Sequence, residues 1–220
     1  MESMKYSISS RPIVSSIGTY NYQLAKFLRE LVSPLIPSEF CTKDSFTFSK
    51  EINQASLHKH FLVSYDIISL YTKIPLQETI DVAVNSIRNN KVNFKISKSD
   101  FKKLFNFSTS QTHFLFKGQI YDQTDGVAMS SPLAPVRANL FMGNFEDKWL
   151  KSFNGEKPAF YKRYTDDIFA AFTSENHADL FLEYINNKHN SITKLLLLNQ
   201  LKISFLDLTL NKTSSSTITN

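Results

Sequence analysis

Apolar positions recur along this chain with two different periods, and the switches between them outline the elements. From Tyr20 to Val32, the residues Leu24, Phe27, Leu28 and Leu31 fall at helical spacing and Pro34 stops the run, which predicts an amphipathic helix. HFLVSYDI, His60 to Ile67, is aromatic and β-branched and predicts a buried strand followed by a bend at SLYTKIP. Pro75 suits the first turn of a helix running to about Asn89, with Thr79, Ile80, Val82, Ala83 and Ile87 partly on one face. A shorter helix opens at Ser97 or Ser99 and carries Phe101, Leu104 and Phe105. THFLFKGQIYDQ reads as a hairpin turning near Lys117 and Gly118. Pro132 is expected to open a long helix to about Phe153, whose apolar stripe is Leu133, Val136, Leu140, Phe141, Phe145 and Trp149. Two short strands, FYKRY and IFAAF, flank Asp166 and Asp167. A helix follows over roughly Glu175 to Lys188, and SFLDLTL is expected as a closing strand. Strands and helices mixed without regular βαβ alternation indicate an α+β fold around an antiparallel sheet.

Composition narrows the class of protein. At 220 residues and 42% hydrophobic, the chain is long enough for one substantial core. A formal charge of +5 leans only modestly towards a polyanionic partner. Cys41 is the only cysteine, so no internal disulfide forms and a disulfide-stapled secreted scaffold is disfavoured. No apolar run approaches the ~18 residues of a membrane span. The opening MESMKYSISSRP lacks the apolar segment of a signal peptide, so the expectation is an intracellular chain with no membrane partner. The end, NKTSSSTITN, is expected to form a disordered tail over residues 211–220.

The candidate chemistry lies in FYKRYTDDIFAAF, which sets Asp166 and Asp167 inside an apolar and aromatic run. An unpaired carboxylate in a core costs several kcal/mol, but a tight turn between two antiparallel strands would let both acids reach solvent. HFLVSYDI also ends near an acid, Asp66. A neighbouring place in the same sheet would gather two or three carboxylates at its rim, where their repulsion calls for a cation. Oxygen donors alone favour a hard ion such as Mg²⁺, and two such ions about 4 Å apart clamp the attacking and leaving oxygens of a phosphoryl transfer. Taken alone, YTDD also fits a pair of solvated turn acids. His58 and His60 have no third ligand nearby in sequence, and Cys41 has no motif around it.

Five blocks in order resemble the reverse transcriptase domain of Penelope-like retroelements. RPIVSSIGTYNYQLAKFLRELVSPL, Arg11 to Leu35, is similar to the family's finger segment, and VSYDIISLYTKIPLQETI, Val63 to Ile80, to the palm block with the first catalytic aspartate. YDQTDGVAMSSPLAPVRANLFM, Tyr121 to Met142, is similar to the glycine-plus-helix block under the templating base. YKRYTDDIF resembles the block with the paired aspartates, and SFLDLTL the block that follows it. The resemblance implies a right-hand polymerase palm over residues 59–210 with partial fingers over 1–58, and no thumb.

It also implies roles. Asp66, Asp166 and Asp167 would be catalytic, with Asp66, Ile67 and Asp166 as the metal set for two Mg²⁺ ions, which Mn²⁺ could replace. Tyr71 would be the aromatic wall that clashes with a ribose 2′-hydroxyl. Arg11 would meet the triphosphate, where its fork suits phosphate oxygens, while Gln123 would line the nucleotide pocket and Gly126 would let the base pair approach closely. Ser131 and Pro132 would lie against primer and template, and Asp207 would position the primer strand. Lys102, Lys103 and the lysines from Lys91 to Lys98 would either contact template backbone or form a solvated face. The implied partners are an RNA or DNA template with its primer and deoxynucleoside triphosphates, and the implied residence is nuclear. Ser130 stands where the family reads glycine, and Thr165 replaces an aliphatic residue. Arg137 interrupts the apolar helix stripe and must snorkel outward or disturb packing. These departures leave a second expectation open, a nucleic-acid-binding remnant without turnover.

Overall fold

The structure is a computed structural model that describes residues 15–37, 39–89, 96–109, 112–123, 130–190, 195–198, 202–212 and 217–219. In chain order the helices are α1 (Tyr22–Val32), α2 (Ser45–Gln54), α3 (Leu70–Lys73), α4 (Leu76–Asn89), α5 (Lys98–Thr109), α6 (Ala134–Lys151) and α7 (Glu175–Asn186). The strands are β1 (Phe61–Ile67), β2 (Thr112–Phe116), β3 (Gln119–Gln123), β4 (Phe160–Tyr164), β5 (Asp167–Phe172), β6 (Leu195–Leu198), β7 (Lys202–Phe205), β8 (Leu208–Lys212) and β9 (Thr217–Thr219). Strands β4, β5, β1 and β6 form, in that order, an antiparallel sheet. β2 and β3 pair as a separate hairpin, and β7, β8 and β9 form a third, small sheet.

Alternation along the central strands sorts their side chains between two cores. Val63, Tyr65 and Ile67 of β1, with Ile168, Ala170 and Phe172 of β5, pack against Ala138, Phe141 and Phe145 of α6 and Phe181 and Ile185 of α7. On the opposite face Leu62, Phe169 and Ala171 meet Phe48 and Ile52 of α2 and Ile203, Phe205 and Leu210 of the β7–β8 hairpin. Phe48 is fully buried, its ring 4.5 Å from that of Phe205 and 5.4 Å from that of Phe169. A third core joins Ala25, Leu28 and Val32 of α1, Ile80 and Val84 of α4, Phe101 and Phe105 of α5, and Leu133, Val136 and Leu140 of α6. Helix α6 therefore serves two cores at once, and eleven of its eighteen residues are buried.

The packing corrects several expectations. SFLDLTL is not one strand: Leu206 and Asp207 both take positive φ and turn it into the β7–β8 hairpin. SLYTKIP holds the short helix α3, launched from Ser69 in the left-handed region. Helix α2, a helix absent from the periodicity reading, is fixed at its start by Asp44, whose carboxylate accepts the Thr47 N–H at 2.7 Å. Helix α2, ahead of residue 58, packs on the sheet, while α4 and α5 pack with α1. Within the expected tail, the β-branched residues Thr217–Thr219 pair with Leu210–Lys212. Arg137 is fully buried instead of snorkelling, since α6 is covered on most sides and offers no path to water. His58 and His60 precede β1 and do not lie on a strand. Among the described residues no helix is long and apolar enough to cross a membrane.

Candidate active site

Strands β1 and β5 are neighbours, and their register sets Asp66 directly opposite Asp167. Opposed residues of an antiparallel pair project from the same face. For these two it is the face of Leu62 and Phe169, onto which the β7–β8 hairpin packs. Asp166 occupies the two-residue turn between β4 and β5, closed by the pairing of Tyr164 with Asp167. Its carbonyl accepts the Ile67 N–H at 2.9 Å, so the turn is tied to the end of β1. Thr165, the other turn residue, has φ +50° and its hydroxyl donates to Asp166 Oδ1 at 2.7 Å. The sheet thus brings Asp66 to the adjacent pair Asp166 and Asp167, a hundred positions further along the chain.

Their electrostatics record that proximity. Burial pushes the Asp66 carboxyl above the usual carboxylate range, and the charge of Asp166 pushes it further. Asp167 is raised by burial first, then by Asp166 and Asp66. Tyr71, half-buried on α3, has its phenol raised by burial and next by Asp166, which places the ring within electrostatic reach of the turn. Like charges held this way are what a divalent cation relieves. The donors at the rim are oxygens, the choice of a hard ion. Among the described residues no three acidic, histidine or cysteine side chains converge at ligating distance. Mg²⁺ needs only one or two carboxylates, with water and substrate phosphate oxygens completing its shell, so the set fits. The Ile67 side chain is buried in the core, leaving its main chain as the only donor there.

The remaining described candidates lie on other elements. Ser131 is buried at the start of α6, where its carbonyl accepts the Ala134 N–H at 3.0 Å. Pro132 lies before the helix, which begins two residues later than expected. Ser130 does not cap α6: its hydroxyl accepts the Ser16 N–H at 2.5 Å and so ties residue 16 to this block. Gln123 ends β3, paired with Thr112. Asp207 is exposed at the β7–β8 turn. Lys102 is matched by Asp81, and Lys103 lies 3.6 Å from Asp100. Arg11 and Gly126 lie outside the described residues, as do Lys91 and Lys95.

Sequence reasoning missed a polar cluster under the turn. Arg163 on β4 and Glu146 on α6 are fully buried and paired, with Nε to Oε1 at 2.6 Å. Tyr161 donates its hydroxyl to the same Glu146 oxygen at 3.0 Å, and burial pushes its phenol well above its ordinary value. The sequence held a signal on one side only: Arg163 sits in an aromatic strand, while Glu146 opens the charged run EDK and does not stand out.

No family model matches the chain, and no curated protein matches it by sequence. Solved structures do. The apo telomerase of Candida tropicalis, truncated from its C-terminal domain, superposes with TM-score 0.67 over 92% of this chain and 46% of that one, at 13% identity. The fold is that of a polymerase palm. Candida albicans telomerase, in complex with the TWJ fragment of telomeric RNA, gives TM-score 0.63 at 12% identity over 91% of this chain and 37% of that one. The BmCPV RNA-dependent RNA polymerase at its elongation state gives 0.55 at 12% identity, over 91% and 20%. This palm spans less than half the length of each of those polymerases. Both telomerases and a viral RNA polymerase share the fold.

Proposed function

We propose that the chain is the core of an RNA-directed DNA polymerase of the Penelope-like kind, extending a primer with deoxynucleotides on an RNA template. The observation that carries this is Asp66 set opposite Asp167, with Asp166 in the adjoining turn, on a palm fold. Asp66 and Asp166 would hold Mg²⁺, with Ile67 offering its main chain and Asp167 as the accessory acid. Bound there, the metal supplies activation of the primer 3′-hydroxyl and charge neutralisation at the leaving pyrophosphate. The chain's own residues set the geometry: β1 fixes Asp66, the turn fixes Asp166, and the Thr165 hydroxyl orients one oxygen of its carboxylate. Tyr71 on α3, within electrostatic reach of Asp166, would be the wall that clashes with a ribose 2′-hydroxyl. Asp207, on the hairpin that packs across the same sheet face, would steady the primer strand. Arg11, Gln123, Gly126, Ser131 and Pro132 complete the proposed nucleotide and template contacts, and a nuclear residence accompanies the retroelement assignment.

Primer extension on an RNA template with Mg²⁺ and deoxynucleotides, beside an Asp166→Asn variant, tests this. Extension by the parent that falls about a thousandfold or more in the variant, with primer–template binding unchanged, is the expected result. A parent that binds primer–template without extending it would replace the polymerase with a binding module.

A further inference from the structure

A buried Arg–Glu pair is weak evidence of stabilisation, since well-packed apolar residues of similar volume commonly serve as well. What distinguishes this one is where its remaining donors go. Arg163 Nε meets Glu146 Oε1 at 2.6 Å and NH2 meets Oε2 at 3.2 Å, so the carboxylate is gripped by both oxygens. The NH1 group then reaches Asn139 Oδ1 at 2.8 Å and the main-chain carbonyl of Thr165 at 2.9 Å. Four of the five guanidinium donors are thus placed by side chains of α6 and by the turn itself. The Arg163 main chain is held too, with its N–H on the Phe40 carbonyl at 2.7 Å and its carbonyl on the Thr42 N–H at 2.9 Å.

Thr165 is the residue that most needs such a partner. A β-branched side chain in the left-handed region is strained by roughly 1–2 kcal/mol. The conformation persists only where the surroundings fix it, and its carbonyl is fixed by NH1. The next residue is Asp166, whose own carbonyl is tied to Ile67 on β1. A chain of contacts therefore runs from the long helix α6 through the guanidinium to the acid of the turn.

We propose that Arg163, clamped by Glu146 and Asn139, is a positioning residue that holds the Thr165–Asp166 turn in the geometry the acid site uses. Its catalytic consequence rests on the polymerase reading, while its structural consequence does not. Arg163 is fully buried and acts through Thr165. A lysine at this place keeps the charge but lacks the planar fork that spans a carboxylate and a carbonyl together.

The test compares the parent chain with Arg163→Lys by amide hydrogen exchange and by primer extension. The Ile67 N–H reads the turn directly, and the Ala170 and Ala171 amides read the strand beyond it. In the variant, Ile67 protection is expected to fall about tenfold while Ala170 and Ala171 are unchanged. The kcat for extension is expected to fall at least as far, with KM for deoxynucleotide within about threefold. Equal Ile67 protection in variant and parent overturns the proposal. A uniform loss of protection through β1 and β5 also overturns it, because that is global destabilisation. Should Arg163→Lys fail to fold, Asn139→Ala carries the same comparison: about threefold loss at Ile67 supports the proposal and no loss overturns it. If the parent itself extends no primer, the polymerase reading fails, and the exchange at Ile67 still decides whether the guanidinium positions the turn.

Discussion

Two hairpins of this protein place an aspartate second in a two-residue turn, and their surroundings have little in common. In the β4–β5 hairpin Thr165 takes φ +50° and precedes Asp166; in the β7–β8 hairpin Leu206 takes φ +52° and precedes Asp207 at φ +61°. The first turn is tied to β1 through Ile67, faces Asp66 and Asp167, and rests on a buried arginine. In the second, Asp207 is exposed at the end of a small separate sheet, while Leu206 packs against the core. An acid in a turn is thus an ordinary turn residue until another strand delivers a second acid beside it. β1 does that for Asp166, while Asp207 has no such neighbour among the described strands. Whatever Asp207 contributes comes from the hairpin's packing on the sheet through Phe205 and Ile203, not from a cluster of charge.

Breaking the comparison at its strongest point means removing one acid from each region. Asp66→Asn is expected to lower primer extension about a thousandfold or more, and Asp207→Asn to change it less than about threefold. Single-turnover extension measures both, and equal losses would erase the distinction between the turns.

A smaller effect separates them by pH. Asp66 and Asp167 have raised folded-state values, so the native chain holds those protons more tightly than the unfolded chain, whose aspartates titrate near about 3.9. Stability from the protonated forms is fully present below that value and is lost as pH rises through the raised folded values. Without metal, the Tm difference between Asp66→Asn and the parent should therefore grow in the variant's favour from about pH 4 to pH 7. Added Mg²⁺ binds the ionised acids and should raise the parent's Tm more at pH 7 than at pH 4. Asp207→Asn should reproduce neither trend. Calorimetry across that pH range reads both.

The smallest effect sharpens the other turn. Leu206 holds a left-handed conformation that asparagine tolerates far better. Leu206 also packs against the core, so in Leu206→Asn relief of the left-handed strain and loss of that packing oppose each other, and stability in denaturant unfolding should change by less than about 1 kcal/mol while extension is unchanged.

Much of this architecture was legible in the sequence, and the failures have physical causes. The strand at HFLVSYDI declared itself by an aromatic and β-branched run that is buried on both faces, and the helix after Pro75 by an apolar face of helical period. The pairing of Asp66 with the YTDD turn was foreseeable from two apolar strands ending in acid. Helix α2 was hidden because its buried face is only Phe48 and Ile52, too short a stripe to register as a period. The SFLDLTL turn was hidden because a lone aspartate interrupts an otherwise apolar run and leucine, a poor turn residue, takes the first turn position at positive φ. Arg163 stands out in its aromatic strand, but Glu146 is masked by the charged run EDK, and the arginine's other target, a main-chain carbonyl, has no side-chain signature. Arg137 shows the limit from the other side: the sequence offered two outcomes for it, and the burial of α6 removed the outward one.

The most direct test of the central claim is Mn²⁺ binding, followed by electron paramagnetic resonance, to the parent, Asp66→Asn and Asp207→Asn in the absence of nucleic acid. Binding by the parent and by Asp207→Asn, weakened at least about tenfold in Asp66→Asn, is the result this account predicts. Equal binding by all three proteins would place the ion elsewhere and contradict it.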